Sequence, residues 1–353
     1  MEKVAIVLLN LGGPDSPQAV RPFLENLFTD PAILRVPGFI RPWLGKFIAW
    51  RREKPAQENY AIIGGRSPLL ELTVAQGQAL EGALAGEEGR EYRCFVAMRY
   101  WHPFSDEAAR QVKEWGATRV LLLPLYPQYS TTTTGSSQTA WDEAAAKIGL
   151  SVPSQTLCCW HSDDDFAAAT AAMVRESLRQ AQASLAPGQK LRVLFSAHGL
   201  PETIVKQGDP YQWQVEQTVA AVVKALDEPG LDHVVCYQSR VTPQKWIGPS
   251  TEAEIERAAA GKVALLVCPI AFVSEHSETL VELDVEYREI ADHKGVPGYF
   301  RVPAQNSDAA FIASLAGLAR RTLAAERPLC SFRGGRQCPK THTDCPHAKV
   351  RAA

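Results

Sequence analysis

The chain has 353 residues, 46% of them hydrophobic and 22% charged, an ordinary balance for a globular protein long enough to build two cores. Its formal net charge of -2 gives no broad basic field, so nucleic acid is not an expected partner. No stretch approaches ~18 uncharged apolar residues, which excludes a membrane-spanning helix. The opening MEKVAIVLLNLGGP reads as a first strand running into a turn and not as a leader, so the expected compartment is the cytoplasm.

Short β-branched runs alternate with longer helical patterns along the chain, the signature of a parallel α/β fold. Strands are expected at Val4–Leu9, Tyr92–Met98, Arg119–Leu125, Leu191–Ala197, Asp232–Gln238 and Val263–Ile270, with a shorter one at Tyr299–Val302. Runs such as VLLLPLY and VALLVCPI are apolar throughout, as strands covered on both faces must be. Between the first two strands, Phe39–Trp50 (FIRPWLGKFIAW) has the spacing of an amphipathic, basic-edged helix. Residues 163–183 open on three acids and end in a basic, amide-rich turn, which predicts another helix. A polar, Pro-containing segment near residues 150–155 marks a domain boundary. The expected division is 1–152, with a lip at about 28–65, then 153–304, then a C-terminal helix and tail at 305–353.

Ligands of open α/β sheets bind where the strands end, and polar, aromatic and metal-liking residues crowd that edge. NLGGPDSP follows the first strand, RYWHP the second, YPQYSTTTTGSS the third, HGLPE the fourth and an acidic stretch the sixth. NLGGPDSP lacks the spacing of a dinucleotide loop and the lysine of a P-loop, so it does not predict a nucleotide site. His198 ends an apolar strand immediately before Gly199, where an imidazole can take a proton or ligate a metal; a packed strand-end histidine is the alternative.

The acidic stretch, FVSEHSETLVELDVEY, contains five acids, one His and no Lys or Arg. At ~100° per residue, Glu275, Glu278, Glu282 and Glu286 fall in a stripe about 80° wide, and Asp284 falls outside it. Like charges at this spacing repel, so the stripe is either a solvated face paired from elsewhere in the fold, or a carboxylate file that moves protons or holds a cation with His276 at its mouth. Periodicity leaves both open. Cys94, Cys236 and Cys268 sit in strand-like runs and read as buried inert thiols. By contrast, Cys330, Cys338 and Cys345 lie in a Gly-, Arg- and Pro-rich tail with little means of building a core, and such thiols want a common partner.

Eight strings in order along the chain, LLNLGGPDSP, YAIIGGRSPL, AMRYWHP, LYPQYSTTTTGSS, FSAHGLPE, GDPYQWQV, YQSRVTPQKWIGPSTE and PIAFVSEHSETLVELDVEY, resemble the ferrochelatases, which insert ferrous iron into a porphyrin at the end of haem synthesis. The resemblance implies two similar Rossmann-like domains, each a parallel β-sheet flanked by helices, with the porphyrin between them. It implies that His198 is the active-site histidine, Glu278 its partner carboxylate, and Glu282 and Glu286 the acidic row leading away along a helix with a π-turn. Leu11, Tyr60, Ser67, Arg99, Tyr100, Trp246 and His276 match porphyrin-lining positions, with Arg99 suited to a propionate and the aromatic rings to the macrocycle.

The resemblance also implies protoporphyrin IX and Fe2+ as substrates, with coproporphyrin as the nearer alternative and a non-catalytic porphyrin or haem carrier as the other. Phe39–Trp50 matches a lip that touches the membrane surface in some members, against the alternative of an ordinary packed helical hairpin. Many members bear a [2Fe–2S] cluster on a C-terminal tail. Here Cys330, Cys338 and Cys345 would be joined by Cys158 or Cys159, because Thr131 stands where animal members place the fourth ligand. Zinc held with His342 or His347, or a free reduced tail, are the alternatives. A monomer and a homodimer both remain open.

Overall fold

The computed structural model describes residues 1–240 and 244–349, and the chain divides into two units. The first comprises residues 1–159 and 316–334, the second residues 160–315 and the described tail from 335. In the first, strands β1 (Glu2–Asn10), β2 (Arg90–Met98), β3 (Arg119–Pro124), β4 (Ser154–Leu157) and β9 (Leu329–Cys330) form a parallel sheet in the order β2-β1-β3-β4-β9. Val4 to Leu9 are wholly buried, as expected of a central strand covered on both faces. Ala5, Val7, Leu9, Phe95, Ala97, Val120 and Leu122 share one of those faces with Trp141.

The second unit holds a four-stranded parallel sheet, β6-β5-β7-β8, from β5 (Leu191–His198), β6 (His233–Gln238), β7 (Ala264–Pro269) and β8 (Tyr299–Arg301). Alternation along β5 feeds two cores: Val193, Phe195 and Ala197 pack with the helices Asp164–Ser184 and Tyr211–Leu226, while Leu194 packs with Ile255, Leu283 and Tyr287 on the other face. The helix at 164–184 starts where its acids predict, and the Asp163 carboxylate accepts the Phe166 N–H as its cap.

Two strands were not legible in the pattern. Residues 154–157, expected at a domain boundary, pair with β3, so the first unit runs past residue 152. Two residues of the tail, Leu329 and Cys330, complete that sheet beside β4.

Helix Arg41–Ile62 inverts the usual amphipathic plan. Its packed face is small: a Cβ added at Gly45 would meet the Phe28 carbonyl oxygen at 2.6 Å, and Ala49 is wholly buried. The large apolar side chains point outward, with Trp43 79%, Phe47 55% and Trp50 56% exposed, and Phe39 just before the helix 79% exposed. Helical spacing puts Trp43, Phe47 and Trp50 within about 60° of one another, with Phe47 and Trp50 rings 6.0 Å apart. Close backbone approach to the Phe28 helix therefore leaves an aromatic ridge uncovered. Among the described residues, no helix is long and apolar enough to cross a membrane.

Candidate active site

In the second unit the ends of β5 and β6 meet the start of a π-helix. β5 ends on His198, where Gly199 turns the chain so tightly that an added Cβ would lie 3.0 Å from the Gln238 carbonyl and 3.2 Å from the Trp246 ring. His198 Nδ1 lies 2.8 Å from Glu278 Oε2, the Tyr211 hydroxyl donates to the His198 carbonyl at 3.0 Å, and the Trp246 ring stands edge-on 6.5 Å away. The imidazole remains one-third exposed. With Nδ1 committed to Glu278, Nε2 is the ring atom available for a proton or a metal.

Glu278 opens the π-helix Glu278–Glu286, in which one extra residue per turn breaks the regular helical wheel. Glu282 is held by three donors: Gln238 Nε2 at 2.9 Å and Ser239 Oγ at 2.5 Å on one oxygen, and the Tyr287 hydroxyl at 3.0 Å on the other. Ser239 follows β6 with φ of 66°, a left-handed conformation that β-carbon-bearing residues rarely adopt and that clusters at functional sites.

Charge divides these groups. Burial works against a charged His198, yet the carboxylates of Glu278 and Glu282 outweigh it and raise its pKa. Burial also works against ionised Glu278, but His198 brings its carboxyl well below the ordinary value. Glu282 goes the other way, raised by burial and then by the negative charge of Glu278. Glu278 is thus the weaker proton acceptor of the two carboxyls and Glu282 the stronger. His276 is buried, its Nδ1 3.1 Å from the Ser274 carbonyl oxygen and its ring 4.7 Å from Phe272, and burial lowers its pKa.

Two other acids of the stretch, Glu275 and Asp284, have a counter-charge that the local sequence does not contain. Arg301, at the end of β8, meets Glu275 at 2.9 Å and grips Asp284 with two N–H groups at 2.6 and 2.7 Å. Glu275 is therefore an anchored foot and not a member of the file, and Asp284, outside the ideal stripe, is the second foot.

In the first unit, Leu11, Tyr60 and Tyr100 belong to one apolar cluster. Ser67 crowds Gly13, whose added Cβ would fall 2.5 Å from the Ser67 side chain, so the second glycine of LGGP is a steric requirement. Tyr100 is 0% exposed, with its hydroxyl donating to Asp30 at 2.8 Å. Arg99 lies over the Tyr100 ring, its guanidinium 2.8 Å from Asp30 and 2.6 Å from the Ser136 hydroxyl. The propionate expected for Arg99 would join an ion pair already made. Asp30, 4% exposed, organises these contacts and was not singled out from sequence. Its signal in the sequence is an acid before a proline in FTDPA, a pattern that reads as a turn.

Cys158, Cys159, Cys330, Cys338 and Cys345 fall into two groups, one in each unit. Cys158 donates its N–H to the Cys330 carbonyl at 2.7 Å, with Cys159 Sγ 3.7 Å from Cys158 Sγ. In the second unit Gln214 Nε2 donates to Cys338 Sγ at 3.1 Å, and a hydrogen bond from Cys338 lowers the Cys345 thiol to about 6. All five thiols are buried. Among the described residues, no three His, Cys, Asp or Glu side chains are gathered as a metal site.

A histidine paired to a carboxylate at the end of an inner strand, with a second carboxyl next along a π-helix, is an arrangement that can exchange protons. The family model for ferrochelatase matches residues 3–323. Curated relatives named ferrochelatase include one from Caulobacter vibrioides, 50% identical over 98% of this chain and 97% of its own length. Another, from Hyphomonas neptunium, is 46% identical over 99% and 96%. Among solved structures, SirB from Bacillus subtilis with Fe3+ aligns over 92% of this chain and 96% of its own, at 14% identity and a TM-score of 0.51, a likeness of fold alone. The chain belongs to the ferrochelatase family and is a porphyrin metal chelatase.

Proposed function

We propose that the chain inserts Fe2+ into protoporphyrin IX, with His198 and Glu278 at the reacting centre and Glu282 as the next proton acceptor. The observation that carries this reading is the 2.8 Å contact between His198 and Glu278. Metallation removes two pyrrole N–H protons and brings the metal to the freed nitrogens. A neutral imidazole donating Nδ1–H to an ionised Glu278 presents its Nε2 lone pair, and the imidazolium formed when it takes a proton is stabilised by that carboxylate. Glu282, held by three donors and raised in pKa, is the stronger proton acceptor of the two carboxylates and is proposed to receive a proton from Glu278 and pass it on to Glu286. Leu11, Tyr60, Ser67, Arg99, Tyr100, Trp246 and His276 are the proposed porphyrin contacts. Anaerobic turnover with protoporphyrin IX and, in parallel, coproporphyrin tests the substrate. The expected result is a kcat/KM at least about tenfold higher for protoporphyrin, equivalent to ~1.4 kcal/mol of discrimination, and a reversed preference would contradict it.

The tail is proposed to carry a [2Fe–2S] cluster on Cys158, Cys330, Cys338 and Cys345, with Cys159 as the alternative to Cys158. The support is the chemistry of the donors: buried thiols, a Cys345 thiol near 6 that supplies thiolate at neutral pH, and an amide N–H directed at the Cys338 sulfur. Such a cluster lends an electron-transfer centre, which metallation does not use, so its role here is structural or sensory. Protein purified anaerobically is expected to absorb in the visible and to contain about two irons and two sulfides per chain. A colourless, iron-free sample removes the cluster.

The aromatic ridge of helix Arg41–Ile62 is proposed to rest on a membrane surface, where an apolar macrocycle resides, with the enzyme otherwise in the cytoplasm. Trp43, Phe47 and Trp50 flanked by Lys46, Arg51 and Arg52 have the composition of an interfacial helix.

A further inference from the structure

We propose that Arg301 is a positioning residue for metallation, acting as a clamp that sets the π-helix so that Glu278 reaches His198 and Glu282 reaches Ser239. This rests on the reading of His198 and Glu278 as the reacting pair. The segment that carries the carboxylates is short and irregular. A π-helix has poorer hydrogen-bond geometry than an α-helix and persists where its surroundings hold it. Here a guanidinium is one of the groups that hold it.

Arg301 ties two points that bracket the working carboxylates. Glu275 lies three residues before Glu278, and Asp284 lies two residues after Glu282. Nη1 of Arg301 donates to Glu275 at 2.9 Å, while Nε and Nη2 form a two-pronged grip on Asp284 at 2.6 and 2.7 Å. The Arg301 and Glu275 side chains are only 11% and 12% exposed, and that of Asp284 is 29% exposed.

Both feet are secured further from the same strand end. Glu275 accepts the Ala304 N–H at 2.9 Å and donates its own N–H to the Asn306 side chain at 3.0 Å. The Tyr299 hydroxyl donates to the Leu283 carbonyl at 2.8 Å, and Arg288 donates to the Tyr299 carbonyl at 2.9 Å. β8 and the loop after it thus register the whole carboxylate segment against β7, next to the strand that carries His198.

The residue type follows from the task. Only a guanidinium presents a planar fork to one carboxylate and a further N–H to another; a lysine ammonium keeps the charge but loses the fixed plane. A displacement of about 1 Å between reacting groups is enough to cost on the order of 100-fold in rate. Orientation by Arg301 is therefore expected to show in kcat, because it changes where Glu278 and Glu282 stand and leaves porphyrin contacts intact.

Removing Arg301 alone would leave two carboxylates without their counter-charge and destabilise the protein for reasons unrelated to catalysis. The test is the charge-balanced triple variant Arg301→Met/Glu275→Gln/Asp284→Asn beside Arg301→Lys, each read for thermal midpoint, kcat, and KM for porphyrin and ferrous iron. The triple variant is expected to keep a midpoint near that of the parent, to lose at least about tenfold in kcat, and to hold the porphyrin KM within about twofold. Arg301→Lys is expected to lose less, about threefold or more in kcat, with the fold intact. Should the triple variant fail to fold, Arg301→Lys decides. Parental kcat in a folded variant, or losses that follow only the fraction folded, would overturn the clamp. His198→Ala in the same assay separates the two readings: if it retains activity, the reacting pair is wrong, whereas a dead His198→Ala beside an active triple variant is wrong about Arg301 alone.

Discussion

Replacing His198 by alanine is expected to reduce the rate of ferrous-iron insertion by about 10²–10⁴-fold, the range ascribed to a positioned acid–base group. The reason is geometric. The imidazole is the only titratable group at the end of β5, its Nδ1 is committed to Glu278 at 2.8 Å, and the Tyr211 hydroxyl holds its backbone carbonyl. Alanine removes the Nε2 lone pair and takes from Glu278 the partner that lowers its pKa, so burial then pushes that carboxyl upward. Porphyrin affinity is expected to change little, because stacking and propionate contacts lie elsewhere. Stopped-flow metallation and porphyrin fluorescence titration on the same preparation separate the two effects: a loss confined to binding would mean that His198 only lines the pocket.

The second large effect concerns the aromatic ridge. Trp43→Glu/Phe47→Glu is expected to abolish flotation of the protein with anionic vesicles while leaving the thermal midpoint within a few degrees of the parent. Burying a large apolar side chain is worth about 1.5–3 kcal/mol, so losing two from an interface costs on the order of 100-fold or more in partitioning. Stability should not suffer, since Trp43 is 79% and Phe47 55% exposed and the helix packs through Gly45 and Ala49. Equal flotation of variant and parent, or no flotation of the parent, would contradict the membrane contact. Activity assayed in detergent-free buffer without vesicles is expected to differ little between them.

Much of this arrangement was legible in the sequence, and the misses have physical causes. Seven strands stand within two residues of their expected ends, because each carries a short β-branched or apolar run. β4 and β9 escaped because they are four and two residues long and gain their order from pairing at the sheet edge. The carboxylate segment was visible as an acidic stripe, but a ~100° wheel presumes a regular helix, and the π-helix redistributes its members. Glu278 and Glu282 face the strand ends, whereas Glu275 and Asp284 turn to Arg301, a residue 26 positions from Glu275 that no local pattern connects to it. Asp30 escaped for the same reason: its partners Tyr100 and Ser136 lie 70 and 106 residues away. Helix Arg41–Ile62 was readable as apolar and basic, but which face it packs depends on how near Gly45 lets the Phe28 backbone come.

The measurement that bears most directly on the His198–Glu278 centre is a double-mutant cycle in anaerobic metallation, comparing the parent with His198→Ala, Glu278→Ala and the pair together. If the two side chains act as one unit, either single loss should cost nearly as much as both, leaving a coupling of at least about 2 kcal/mol. Additive losses would show two groups working separately and would contradict the paired centre.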